Sequence, residues 1–229
     1  IALESFDTDG FLVFSTKQGI IKRTAIREYG NINSSGLIAI NLIEGDELMD
    51  VKITDGKADI VLATKDAQAI RFDEAQVRDT GRATQGVIGI KLREGDHVVG
   101  MAVISEEAKE AAELLTVSEC GFGKRTALKE YPIQGRGGMG VITMKVTEKT
   151  GNLVNLDYVL GDEDLFVLSE GGVLIRTRVK EVSSYGRSSQ GVTIMRLGEG
   201  DQVVAAMVMP DEEKLEATTK ATKNDKLLN

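Results

Sequence analysis

One pattern of about 50 residues returns four times along this 229-residue chain, and it constrains the fold more than any other feature. Each copy opens with an apolar run: Phe11-Leu12-Val13-Phe14, Ile60-Val61-Leu62-Ala63, Leu114-Leu115-Thr116-Val117 and Leu165-Phe166-Val167-Leu168. A tight turn follows, with Gly19, Ala67, Gly121 and Gly172 in one column. Four residues later each copy has an arginine (Arg23, Arg71, Arg125, Arg176), and six further on stands Tyr29, Val77, Tyr131 or Val182. A loop then ends at Gly36, Gly86, Gly140 or Gly191 and leads into GLIAINL, GVIGIKL, GVITMKV or GVTIMRL. The arginine column steps by 48, 54 and 51 residues and the loop-end glycine by 50, 54 and 51, so two independent columns keep register. The extra residues of the third copy lie near Glu106 to Ala112.

Four short strands joined by glycine-containing turns are the signature of a propeller blade. The opening runs are continuously apolar, as strands covered on both faces are. One such unit has too little apolar surface to hold itself together, so neighbours must share a core. The expected fold is therefore all-β, a propeller-like array of four-stranded blades near residues 2–54, 55–104, 105–159 and 160–209. A polar tail at 210–229 is expected to be a linker, a capping helix or disordered. A β-sandwich is the alternative, but it does not require a repeat of this length.

Composition limits the function classes. Hydrophobic residues make up 41% and charged residues 28%, ordinary for a globular protein, and no run approaches the roughly 20 apolar residues that span a bilayer. The first residues lack the basic and apolar regions of a signal peptide, and the missing initiator Met predicts part of a longer polypeptide. The single Cys120 excludes an internal disulfide and fits a reducing cytosol. The net charge of -8 runs against the basic footprint usual for nucleic-acid binding, so the placement of charge decides.

No catalytic or metal constellation recurs. His97, the one histidine, sits beside a Glu-Gly-Asp turn whose counterparts carry Glu47 and Gln202, and it reads as a solvated turn residue. The repeated Glu-Gly-Asp turns offer one carboxylate pair each and no third ligand, which is turn chemistry. The basic residues do recur. The first column, Arg23, Arg71, Arg125 and Arg176, is joined by Lys22, Lys124 and Arg178. A second, Arg82, Arg136 and Arg187, lies in the loops, each arginine preceded by a glycine, and the first copy has Ile32 there. A third is Lys91, Lys145 and Arg196. For any single residue a solvated face is the simplest reading. Repeated around a propeller, such columns predict a periodic positive track suited to phosphates, which would position duplex DNA without reading its sequence.

The segment Gln134-Gly135-Arg136-Gly137-Gly138-Met139-Gly140 resembles the gyrase A box. Gln134, Arg136, Gly137, Gly138 and Gly140 agree with it, while Gly135 and Met139 stand where the box has basic residues. Gly121-Phe122-Gly123-Lys124-Arg125-Thr126 and the stretch from Gly86 to Asp96 also look like the C-terminal region of DNA gyrase A proteins, and the similarity covers residues 3 to 209. The resemblance implies a β-pinwheel, a propeller variant whose blades exchange an outer strand, here the last four of the usual six. It implies a non-catalytic domain that wraps duplex DNA on a basic rim so that the holoenzyme, with its gyrase B component, introduces negative supercoils using ATP. It further implies no cofactor, metal or membrane partner in this region, and a cytoplasmic, nucleoid-associated setting. The corresponding region of topoisomerase IV is the nearest alternative. A protein-interaction propeller is a third reading, weakened by the absence of tryptophan and the lone histidine.

Overall fold

The computed structural model describes Leu3, residues 5–32 and residues 35–210; the expected tail beyond Pro210 lies outside the described residues. The first repeat supplies β1 (Phe11–Thr16), β2 (Ile20–Ala25) and β3 (Leu48–Thr54). The second supplies β4 (Asp59–Thr64), β5 (Gln68–Asp73), β6 (Val87–Ile88) and β7 (Val98–Ile104). The third has β8 (Glu113–Ser118), β9 (Phe122–Ala127), β10 (Val141–Ile142) and β11 (Leu153–Val159). The fourth has β12 (Asp164–Ser169), β13 (Leu174–Arg178), β14 (Val192–Thr193) and β15 (Val203–Met209).

The opening hairpin of each repeat forms because its turn column tolerates a left-handed backbone. Gly19, Gly121 and Gly172 have φ of 81°, 75° and 83°, and Ala67, at 56°, is the one non-glycine with positive φ among the described residues. After each hairpin a short 3-10 turn brings Tyr29, Val77, Tyr131 and Val182 inward, all buried. The last strand of each repeat then pairs with the first, for example Ile60↔Val103 and Val61↔Ala102, with a register shift near the hairpin end.

The heptapeptides GVIGIKL, GVITMKV and GVTIMRL behave differently from the full strands expected. Only two residues of each pair, and they do so on the sheet of the preceding repeat: Ile21↔Val87, Ala69↔Val141 and Gly123↔Val192. The sheets therefore read β3-β1-β2-β6, β10-β5-β4-β7, β11-β8-β9-β14 and β13-β12-β15. This crossing explains the loop-end glycines. A Cβ on Gly86, Gly140 or Gly191 would lie 2.5, 2.5 or 2.4 Å from a carbonyl oxygen of the neighbouring sheet. Around Gly36 there is open space, and GLIAINL forms no strand, because the described residues hold no preceding sheet to receive it.

The four sheets stand in a ring, with β3, β7, β11 and β15 innermost and packed on one another in that order. The cores lie between blades. Val13 and Ile21 of the first repeat pack with Ile60, Leu62, Ile70 and Phe72 of the second, and Val61 and Ala102 pack with Leu114, Leu128 and Leu156 of the third. Lys52 on β3 reaches Asp157 on β11 at 3.4 Å, tying the first blade to the third. At the far end of the array β13 has no outer strand among the described residues, and Val173 and Leu174 are exposed.

Candidate nucleic-acid interface

Three of the four arginines of the first basic column, Arg23, Arg71 and Arg125, join blades and do not form a solvent-facing track. Arg71 donates from Nε to Asp59 Oδ2 at 2.7 Å, and from Nη1 to the carbonyls of Leu128 and Tyr131 at 3.0 and 3.1 Å in the next repeat. Arg125 repeats this, with Glu113 at 2.6 Å and the Val182 carbonyl at 2.6 Å. The carboxylate stands twelve residues before the arginine in both, diagonally across the hairpin, as Asp164 does for Arg176 at 3.0 Å. Arg178 also pairs with Asp164, at 3.3 Å.

In the first repeat Phe11 occupies that carboxylate position, and the Arg23 guanidinium lies over its ring at 4.6 Å. The carboxylate comes instead from Glu74 of the second repeat, at 3.1 Å from Arg23 Nη1. Glu74 stands in a column otherwise filled by Ile26, Leu128 and Val179, so an acid has entered the core of one blade where an acid is missing from another. With side-chain exposures of 13, 11 and 18%, Arg23, Arg71 and Arg125 are committed to these joints; Arg176, at the end of the array, is half exposed.

Lys22 and Lys124 also differ from the expected role. Both are fully buried. Lys22 Nζ donates to the carbonyls of Ala39 and Arg82 at 2.7 and 2.5 Å. Lys124 Nζ donates to those of Gly186 and Arg187 at 2.5 and 2.6 Å. Burial pushes both ammonium groups down to about 8, helped at Lys22 by Arg82; at Lys124 the Glu130 carboxylate opposes the shift and Arg187 adds to it. A fully buried lysine whose ammonium is turned to carbonyls inside the fold cannot meet a phosphate outside it.

The loop column lies on the outer edges of the sheets. Arg136 donates from Nε to the Gln76 carbonyl at 2.8 Å and from Nη1 to that of Ile88 at 3.1 Å. Arg187 makes the equivalent bond to the Ile142 carbonyl at 3.0 Å. Arg82 is half-buried, its carbonyl held by Lys22. The box-like loop is anchored through Gln134 N–H to the Arg71 carbonyl at 2.8 Å and Gly137 N–H to that of Gly89 at 2.7 Å. Within that loop Gly135 is exposed, and Met139 keeps 47% of its surface open to solvent.

The third column completes the edge. Lys91, Lys145 and Arg196 are exposed. The N–H groups of Lys91 and Lys145 donate to Gly138 and Ser189 of the next loop at 2.8 and 3.1 Å, and Asn41 does the same to Thr84 at 3.1 Å. Each loop is thus sewn to its successor, bringing Lys91 to the loop of Arg136 and Lys145 to that of Arg187. Among the described residues none of Arg82, Lys91, Arg136, Lys145, Arg187 and Arg196 forms an ion pair. The acids of the Glu-Gly-Asp turns sit at the hairpin end of the blades. There Asp46, Asp96 and Asp201 accept from the N–H groups of Gln18, Asp66 and Gly171 at 2.9, 3.0 and 2.9 Å. Among the described residues no group of three His, Cys, Asp or Glu could hold a metal ion, and no helix is long and apolar enough to cross a membrane.

Sheets that lend an outer strand to their neighbour, with a basic loop at each exchange, define a strand-swapped β-propeller with a cationic outer edge. The family model described as the DNA gyrase C-terminal domain, beta-propeller, matches residues 10–55, 58–105, 112–159 and 163–208, and the chain belongs to that family. It is 54% identical over 217 residues to the DNA gyrase A protein of Deinococcus deserti, covering 94% of this chain and 27% of that protein. It is 45% identical over 214 residues to the DNA gyrase A protein of Staphylococcus epidermidis, covering 93% and 24%. The chain therefore spans about a quarter of the length of these relatives. Among solved structures it is similar to the C-terminal domain of DNA topoisomerase IV (TM-score 0.88, 25% identity, 97% of this chain and 69% of that one). It is also similar to a DNA gyrase A C-terminal domain (TM-score 0.79, 28% identity, 90% and 68%).

Proposed function

We propose that this domain binds duplex DNA along the sewn outer loops and bends it around the array, as a non-catalytic part of a type II topoisomerase. In that assembly, the remainder of a gyrase A protein together with gyrase B would convert the wrap into ATP-dependent negative supercoiling. The observation that carries the reading is the run of cations along the outer loops, whose side chains form no ion pair among the described residues, while Asp46, Asp96 and Asp201 at the hairpin end are held by backbone N–H groups. Ion-paired cations would have to give up a partner to meet a phosphate; these would not. Contacts of this kind position a duplex without selecting a sequence, and any preference would come from how easily the DNA bends.

Arg136 and Arg187 also hold loop carbonyls, so the cleaner probe is the exposed column. Replacing Lys91, Lys145 and Arg196 together with glutamine should weaken binding to all duplex sequences alike. The salt dependence should fall by about 0.9 per lost phosphate contact, hence about 2.7 in the slope of log K against log salt. An unchanged slope in the folded variant, or a loss confined to one sequence, overturns the reading.

A further inference from the structure

The outer loops of the second and fourth repeats are held from inside by a lysine, and the loop of the third is not. The column behind them reads Lys22, Ile70, Lys124 and Ile175. Isoleucine fills the position in two blades, so packing alone does not call for an ammonium there, and burying one is costly unless it is fully hydrogen-bonded. Lys22 and Lys124 offset that cost with two hydrogen bonds each, to the carbonyls of Ala39 and Arg82 and to those of Gly186 and Arg187. Behind the third loop, Ile70 lies against Gly138, and Gln76 does the holding through the Arg136 N–H at 2.9 Å and the Gln134 carbonyl at 3.1 Å.

The consequence follows from peptide geometry. A trans peptide points its C=O and N–H in opposite directions, so a carbonyl drawn inward turns the next N–H outward. Drawing in the Arg82 carbonyl turns out the N–H of Ala83, and drawing in that of Arg187 turns out the N–H of Ser188. Both residues are exposed, and neither N–H has a partner among the described residues. At the corresponding place in the third loop, the Gly137 N–H is consumed by the Gly89 carbonyl at 2.7 Å.

We propose that Lys22 and Lys124 are positioning residues that shape loops 81–84 and 186–189 into two discrete phosphate-binding sites, each pairing an arginine side chain (Arg82 or Arg187) with an outward backbone N–H (Ala83 or Ser188). The proposal rests on the reading of the outer edge as a phosphate-binding surface, and it makes that edge uneven: two strong contacts flank a weaker third loop. The guanidinium supplies charge and the N–H supplies direction, a pairing that suits a phosphate oxygen better than either group alone.

The test is an amide chemical-shift titration of the labelled chain, first with inorganic phosphate and then with a short duplex. Ala83 and Ser188 should shift with both ligands and Gly137 with neither. The Lys22→Met, Lys124→Met variant should lose those two shifts while keeping its dispersed spectrum, and its salt slope on duplex should drop by about 1.8, for two contacts at about 0.9 each. Should methionine disturb folding, isoleucine, which the same column already holds at Ile70 and Ile175, replaces it. Shifts at Ala83 and Ser188 no larger than at Gly137, or shifts that survive in the folded variant, overturn the proposal. Duplex binding without those shifts sinks the two sites alone. Phosphate shifts without duplex binding keep the sites and sink the DNA reading.

Discussion

The joint between the first two blades is built from exchanged parts, and that exchange can be reversed in the laboratory. Glu74 is fully buried; it accepts from Arg23 Nη1 at 3.1 Å, from the Ala58 N–H at 3.0 Å and from the Thr54 hydroxyl. Replacing it with leucine, the residue at the equivalent Leu128, removes the carboxylate and leaves a nearly buried guanidinium unpaired. Removing one partner of a buried ion pair costs about 3–5 kcal/mol, and an orphaned buried N–H accounts for about 1–3 kcal/mol of such a loss. Phe11→Asp restores the carboxylate twelve residues before the arginine, where Asp59, Glu113 and Asp164 stand in the other blades. The double variant should therefore recover the arginine's share and retain only the cost of Ala58 and Thr54. In a double-mutant cycle followed by circular dichroism during urea unfolding, the two substitutions should couple favourably by about 1–3 kcal/mol. Coupling within about 0.5 kcal/mol of zero, or a Glu74→Leu cost below about 1 kcal/mol, would refute the compensation.

Further outcomes concern stability. Lys22 and Lys124 sit near 8 in the fold against an ordinary 10.5, so between those values the unfolded chain binds more protons and stability should rise with pH; the Lys22→Met, Lys124→Met variant should lack that rise in a melt series. Tyr131 acts in the opposite sense: burial raises it from 10.0 to about 12, so its contribution is present below pH 10 and is lost between 10 and 12, a loss that Tyr131→Phe should remove. Ile21 and Leu174 share one repeat position, but Ile21 is fully buried and Leu174 is 60% exposed. Ile21→Ala should cost about 2–5 kcal/mol and Leu174→Ala less than about 1 kcal/mol, and equal costs would mean that the β13 edge is covered.

The repeat made most of the fold legible, because register, turn glycines and apolar runs are local properties that each copy states independently. The fate of the seven-residue runs was less legible. Their alternation is that of a strand, but which sheet receives them depends on a neighbour in space, and only two residues of each find one. The basic columns show why spacing alone does not separate a surface from a joint. A column places an arginine at the same height on every blade without saying which way it points. Two signals were available in the sequence: the carboxylate at Asp59, Glu113 and Asp164, in fixed step with the arginine, and the isoleucines that share a column with Lys22 and Lys124, which mark that position as core. The cations of the loop column, with Lys91, Lys145 and Arg196, lie along the outside, half-buried or exposed. The sewing of each loop to the next was not readable, because it is made by backbone groups that every residue carries.

If the outer loops form one track for duplex DNA, binding of the chain to linear duplexes of increasing length across a salt series will show it. Affinity should be indifferent to sequence, rise with duplex length until the array is spanned, and fall steeply with salt, with a slope of about 0.9 for each phosphate engaged. Affinity that does not change with duplex length, or that withstands added salt, would contradict it.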